Sequence, residues 1–339
     1  MELLLILVAI FILPLSVRRI EEELEVFLFL MGVIAVTITW QWSLGLMIDA
    51  IIEPVTITLA VLVSGLVFML LKKRLARKFG EAVKRVGEKS FFFVVVVGFG
   101  IVSSTITAIV AALLLVEIVS AIDLGRRNEI TLVVFACYSI GLGSVLTPLG
   151  GPLAAITVAK LGGAPHYAGF WFLFENLWPY ILPGIVLLGV LSTMMISKNE
   201  DRSGDLKEDR QGNLKEVLTR AAKIYVFIMS LVFIGAAFKP LMEAYVPTIQ
   251  PYFLYWINSA SSVLDNATLA AAEIWPAMTL VQINCAMLGL SIAGGMLIPG
   301  NIPNIISSGK LKIRSREWAR LGVPLGVGIL LLYFAVIIV

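Results

Sequence analysis

The sequence predicts an all-α polytopic membrane protein with about eight transmembrane spans. Two opposed re-entrant hairpins and inverted-topology repeats with two discontinuous helices complete the predicted fold. Three observations predict it. First, 59% of the 339 residues are apolar and 14% charged, against about 45–50% and about 25% in a soluble domain; mean hydropathy is +0.96. Second, apolar runs of spanning length alternate with short basic stretches. Third, two Gly/Pro-broken motifs recur at corresponding places. A soluble core of this size could not hide so much apolar surface, so lipid is the solvent for much of it. This excludes a soluble enzyme, a disordered chain and a disulfide scaffold.

Simple spans are read at about 2–17, 26–42, 53–71, 169–196, 217–238 and 320–339, each near the roughly 17–25 residues that cross a bilayer. The opening Met1-Glu2-Leu3-Leu4-Leu5 has no basic stretch before the apolar run, so a retained first span is expected rather than a cleaved signal. Segments at about 130–160 and 282–309 are broken by Gly and Pro, whereas 91–122 and about 252–280 do not fit single spans. The implied organisation has four parts. Residues 1–90 form scaffold spans and a connector, 91–196 a first core, 197–216 a charged linker and 217–339 a second core.

Positive charge marks cytoplasmic loops. Residues 72–89 carry eight Lys/Arg, and Leu71, Leu75, Phe79, Val83 and Val86 share one helical face there, as in an interfacial amphipathic helix. A solvated connector is the alternative. Arg126 and Arg127, the loop 198–216 and the basic stretch Lys310–Arg320 belong on the same side. That holds if 91–122 enters and leaves on one side, as a hairpin with arms of roughly 13 residues, each about 20 Å long, and a tip near Ser103-Ser104-Thr105. By the same parity 252–280 is a hairpin from outside, and both termini are extracytoplasmic.

Self-similarity supports this. Ser103-Ser104-Thr105-Ile106-Thr107 matches the stretch Ser261 to Thr268, and each precedes an Ala-rich run. Gly143 to Pro152 matches Gly294 to Pro303, with the pairs Pro148/Pro152 and Pro299/Pro303 spaced alike. Interrupted helices at corresponding positions of inverted halves point to a midplane transport site, because irregular backbone at membrane depth survives only where it is buried in protein or lines a cavity. Kinks in packed helices are the bland alternative.

Ionisable residues at membrane depth are functional candidates. Asp265, flanked by Asn266 and Thr268, supplies hard oxygens suited to Na⁺ or H⁺. Ser103, Ser104, Thr105 and Thr107 add hydroxyls from the first hairpin, Thr147 from the first break, and Asn301 and Asn304 from the second. Glu273 and Glu117, on the returning arms, and Glu175 with Asn176 in the span 169–196 are candidate proton relays; Glu273 and Glu117 could equally reach an interface. Lys160 and Lys239, near span ends, read as snorkelling. His166 reads as a loop residue or a proton-linked one; one His builds no His-ligated metal centre. Cys137 and Cys285 read as small buried residues. No Gly-x-x-x-x-Gly-Lys-Ser/Thr motif is present, which argues against built-in ATP hydrolysis.

These motifs resemble the ion transporter superfamily. Ser262-Val263-Leu264-Asp265-Asn266-Ala267 looks like the Asp-Asn hairpin of its NhaD-type sodium/proton antiporter branch, and Gly300-Asn301-Ile302-Pro303-Asn304 like the second break. In overall character the chain is similar to a small prokaryotic group of predicted cation transporters. The first tip lacks the Asn of dicarboxylate carriers, and the first break has Leu153 after Pro152. The resemblance implies a secondary transporter in the plasma (inner) membrane of a prokaryote. It would exchange a monovalent cation, Na⁺ foremost, for protons at Asp265, without enzymatic activity or a cofactor. The alternatives are a sodium-coupled symporter of a small anion or carboxylate, and a channel or scaffold. Membrane lipid and small ions are the expected partners, nucleic acid is not, and a homodimer is compatible with the sequence.

Overall fold

In the computed structural model, residues 2–17, 20, 23–55, 58–59, 62–63, 66, 87–122, 124–196, 214–245, 250–259 and 266–338 are described. Among them the chain is helical, with no strand. The helices are α1 (Glu2–Ser16), α2 (Leu24–Ile38), α3 (Glu88–Ile106), α4 (Ala108–Ala121), α5 (Arg126–Gly143), α6 (Pro152–Lys160), α7 (Phe172–Met194), α8 (Leu214–Tyr245), α9 (Pro251–Ile257), α10 (Asn266–Glu273), α11 (Leu280–Ala293), α12 (Ile302–Leu311) and α13 (Ser315–Ile338). Residues 44–55 are also helical. The amphipathic connector at 71–86, most of the charged linker and the hairpin tip with Asp265 lie outside the described residues.

Four helices are long and apolar enough to cross a membrane: Glu88–Ile106, Phe172–Met194, Ala221–Leu241 and Ser315–Ile337. Their outer faces carry large exposed apolar side chains, among them Val94, Ile101, Val186, Val190, Leu331, Leu332 and Val336. Water would penalise such faces by about 25 cal/mol per Å², whereas acyl chains accept them. The protein is therefore an integral membrane protein.

The interior is built by close backbone approach. A Cβ on Gly143 would fall 1.7 Å from the Gly100 carbonyl oxygen and 2.7 Å from Ser103 Oγ. α3 and α5 thus touch backbone to backbone, as small residues allow in membranes. Gly189 admits Phe93 and Val97, and Gly184 admits Tyr333, in the same way. Tyrosine and tryptophan tips find carbonyls: Tyr138 donates to Gly322 O, Tyr255 to Leu330 O, Tyr333 to Tyr180 O and Trp318 to Gly295 O.

The packing is reciprocal. α3 lies on α5 and α9 on α11, within each half; α4 lies on α12 of the second half, and α10 on α6 of the first. At one end Arg126 fastens this weave. Its guanidinium forks onto Glu317, reaches Glu129, and donates to Leu311 O and Lys312 O in the turn between α12 and α13.

Two sequence expectations are corrected here. Where a first hairpin with equal arms is expected, α3 and α4 have 19 and 14 residues, and the helix runs through Ser103-Ser104-Thr105 to break at Thr107, where φ is 71°. The linker expected at 197–216 is shorter at its end: α8, which holds the span Ala221–Leu241 near the expected 217–238, takes in Leu214–Glu216 and continues past Pro240.

Gly143→Ala should lower stability by about 1–3 kcal/mol, the usual cost of overpacking. Gly98, whose Cβ would meet nothing within 4 Å, should tolerate alanine. Thermal unfolding of the two variants in one detergent checks the difference.

Candidate functional site

The two helix breaks lie against each other. In the first, residues 144–151 leave the helical path between α5 and α6; in the second, 294–301 do so between α11 and α12. Asn301 places its side-chain amide against Gly141, 2.9 Å from where a Cβ would stand, and Ser291 O lies 3.7 Å from that point. Asn266, first residue of α10, brings its amide within 3.2 Å of the corresponding point at Gly294. Two side-chain amides, Asn301 and Asn266, therefore stand in a buried region where the helices end, and the last carbonyls of α5 and α11 are taken up by short-range turns such as Ser144 N to Ile140 O and Gly295 N to Ile292 O.

The turn between α3 and α4 closes on the first break. Ala108 N donates to Gly150 O at 2.7 Å, and Thr147 Oγ1 donates to Ser104 O. Ser103 Oγ, fully buried, lies 2.8 Å from Gly100 O and 3.1 Å from Ile140 O. Thr107 Oγ1 accepts from Val110 N and so caps α4. Ser104 and Thr105, expected at the tip, instead donate back to Ile101 O and Val102 O of their own helix, and Thr105 is exposed.

The second break is held by Asn304. Its Nδ2 donates to Gly294 O and Leu297 O, both at 2.8 Å, while its Oδ1 is buried without a partner. Asn304, Asn301, Asn266 and Thr147 are all less than a tenth exposed. Nearby, Ser139 Oγ is also buried without a partner, and 2.1 Å separates it from a Cβ on Gly100. Asp265 immediately precedes Asn266 but lies outside the described residues, as does the side chain of Thr268.

The three candidate relays have different surroundings. Glu117 on α4 is ion-paired to Lys310 on α12, both side chains about 10% exposed. It is therefore a paired charge, and the pair joins the two halves. Glu175 sits in the exposed first turn of α7, away from both breaks in sequence, while Asn176 donates to Phe172 O of its own helix. Glu273 is 1% exposed and accepts from Asn258 Nδ2 at 2.9 Å. His166 Nε2 lies 2.7 Å from Met278 O, joining a loop of each half. Sequence reasoning missed Asn258 and Ser139. Asn258 had one visible signal, a lone amide closing the apolar run Tyr252–Ile257.

Fold and site define a helical integral membrane protein with a buried polar centre at the meeting of two interrupted helices. Residues 1–339 match the family described as protein of unknown function (DUF1646), and the chain belongs to that family. No curated protein matches it.

Asn304→Ala removes both side-chain ties across the second break, from Gly294 O and from Leu297 O, which keeps only its long bond from Gly300 N, so it should cost about 1–3 kcal/mol. Asn301→Ala, which has no capping bond to lose, should cost less than about 1 kcal/mol and act instead on ligand affinity. Melting temperatures with and without added NaCl, at matched ionic strength, separate the two.

Proposed function

We propose that this protein is a secondary transporter that exchanges a monovalent cation, Na⁺ foremost, for protons at the meeting of its two broken helices. The observation that carries the reading is the juxtaposition of Asn301 with Gly141, and of Asn266 with Gly294, between two helix interruptions. Carbonyls released at such breaks coordinate cations, and half-helix termini add fixed partial charges. Asp265, adjacent to Asn266 in the chain, supplies the carboxylate. A cation and a proton compete for it, and that competition couples the two fluxes. Asn266, Asn301, Thr147 and Ser103 lie beside this centre, with Thr268 near it in sequence; Ser104 contributes its carbonyl, which accepts from Thr147, while Thr105 is turned back on its own helix.

The reading places about eight spans around two re-entrant hairpins. Three contacts support the first hairpin: its tip meets Gly150, its returning arm carries Glu117 to Lys310, and Lys312 O next to that site binds Arg126 at the start of α5. The reciprocal packing of α4 on α12 and α10 on α6 is what an inverted repeat requires. The cytoplasmic side is then the basic one, and both termini face outside.

Single cysteines at Gly125 and Arg202, in a background without Cys137 and Cys285, should both react only from the cytoplasmic side. Opposite sidedness would make 88–121 a net crossing and end the inverted-repeat reading.

Proteoliposomes loaded with a pH dye should show proton movement on addition of Na⁺ or another monovalent cation without any organic solute. Asp265→Asn should insert normally and lose at least about tenfold of that rate, equivalent to about 1.4 kcal/mol. Apparent Na⁺ affinity of the wild type should fall as pH falls, since protons compete. Flux that needs an added carboxylate would instead establish symport.

A further inference from the structure

The two returning arms carry one buried carboxylate each, and the structure treats them differently. Glu117 is neutralised by Lys310. Glu273 has a neutral amide, Asn258, as its hydrogen-bond partner among the described residues. Burying an isolated carboxylate costs far more than burying a neutral acid, so something must neutralise Glu273.

The amide shows what does. Asn258 Nδ2 donates to Glu273 Oε2 at 2.9 Å and reaches Ala286 O at 3.4 Å. That uses both of its hydrogens. Its remaining valence, Oδ1, is buried and has no hydrogen-bond partner. A carboxylic acid closes this gap with one hydrogen. The acid O–H donates to Asn258 Oδ1 while the amide N–H donates to the acid carbonyl, so the two groups satisfy each other in a ring. A bound cation would need several oxygens; beside Glu273 the described residues offer Asn258 Oδ1, and Ala286 O, which already accepts from Asn258. Among the described residues, Glu273 has no ion pair to a side chain of the elements around it. Lys160 at the end of α6 and Lys239 on α8 are exposed, Lys223 of α8 pairs with Glu23 and Glu25, and Cys285 of α11 is buried. Tyr255 of α9 gives its hydroxyl to Leu330 O, and His166 meets Met278 O.

We propose that Glu273 and Asn258 form a proton-binding site separate from Asp265, with Glu273 a neutral acid in this conformation and its proton exchangeable with solution. The proton bonds the two arms of the second hairpin, and its release leaves a bare carboxylate facing an amide oxygen. As a transport step this rests on the exchange reading above; as a binding site it does not.

Infrared difference spectra of the full chain in lipid nanodiscs test it. The wild type should show the carbonyl stretch of a buried neutral acid at neutral pH, lost at alkaline pH. Glu273→Gln should abolish the band; Glu117→Gln and Asp265→Asn should keep it. Asn258→Leu should move it to higher frequency, since the carbonyl loses its donor; this arm also serves if Glu273→Gln folds poorly. Absence of the band, its survival in Glu273→Gln, or its loss on adding Na⁺ at constant pH overturns the proposal. A normal band with no cation-dependent proton flux overturns the exchange reading alone.

Discussion

A polypeptide in lipid must satisfy its own backbone, and the rest of this fold depends on how it does so at two places where the helices stop. Hydrocarbon offers no hydrogen bonds, so each unpaired amide or carbonyl costs several kcal/mol. The first break is closed by Ala108 N on Gly150 O and by Thr147 on Ser104 O; the second is closed by the amide of Asn304 on two carbonyls. The first solution borrows a neighbouring hairpin, the second a side chain within the break. Both leave a polar centre inside an apolar bundle, with Asn304 Oδ1 buried and unpartnered in the second.

Glycine sets the distances at which this works. Gly143 against Gly100 O, and Gly295 against the ring of Tyr138, bring backbones and rings closer than any side chain would permit. Packing of this kind supplies the attraction that the hydrophobic effect cannot supply between helices already in an apolar solvent. The ion pair of Glu117 with Lys310 and the guanidinium fork of Arg126 add charge-to-charge ties at defined points.

Much of the scaffold was legible because Gly and Pro punctuate it. The broken segments expected at about 130–160 and 282–309 appear as α5–α6 and α11–α12, with boundaries shifted by a few residues. The tip of the first hairpin was misread because Ser and Thr can donate to a carbonyl three residues back and stay helical; Ser104 and Thr105 do so, and the turn falls at Thr107 instead. The partners of the buried carboxylates were not legible. Lys310 reads as one more member of a basic loop, and only the packing of α4 on α12 brings it to Glu117. Asn258 carries no pattern until the chain folds back and sets it beside Glu273.

The crossed packing has a consequence for how the protein is made. Each half lends its returning arm to the other: α4 rests on α12, and α10 on α6. When the first half has entered the membrane, the faces of α4 and α6 that will be covered have no partner, because α10 and α12 have not yet been synthesised. The first break already has its own ties, Ala108 N on Gly150 O and Thr147 on Ser104 O, so what waits for the second half is the cover over α4 and α6. A fragment that ended before α10 would leave those faces of α4 and α6 bare.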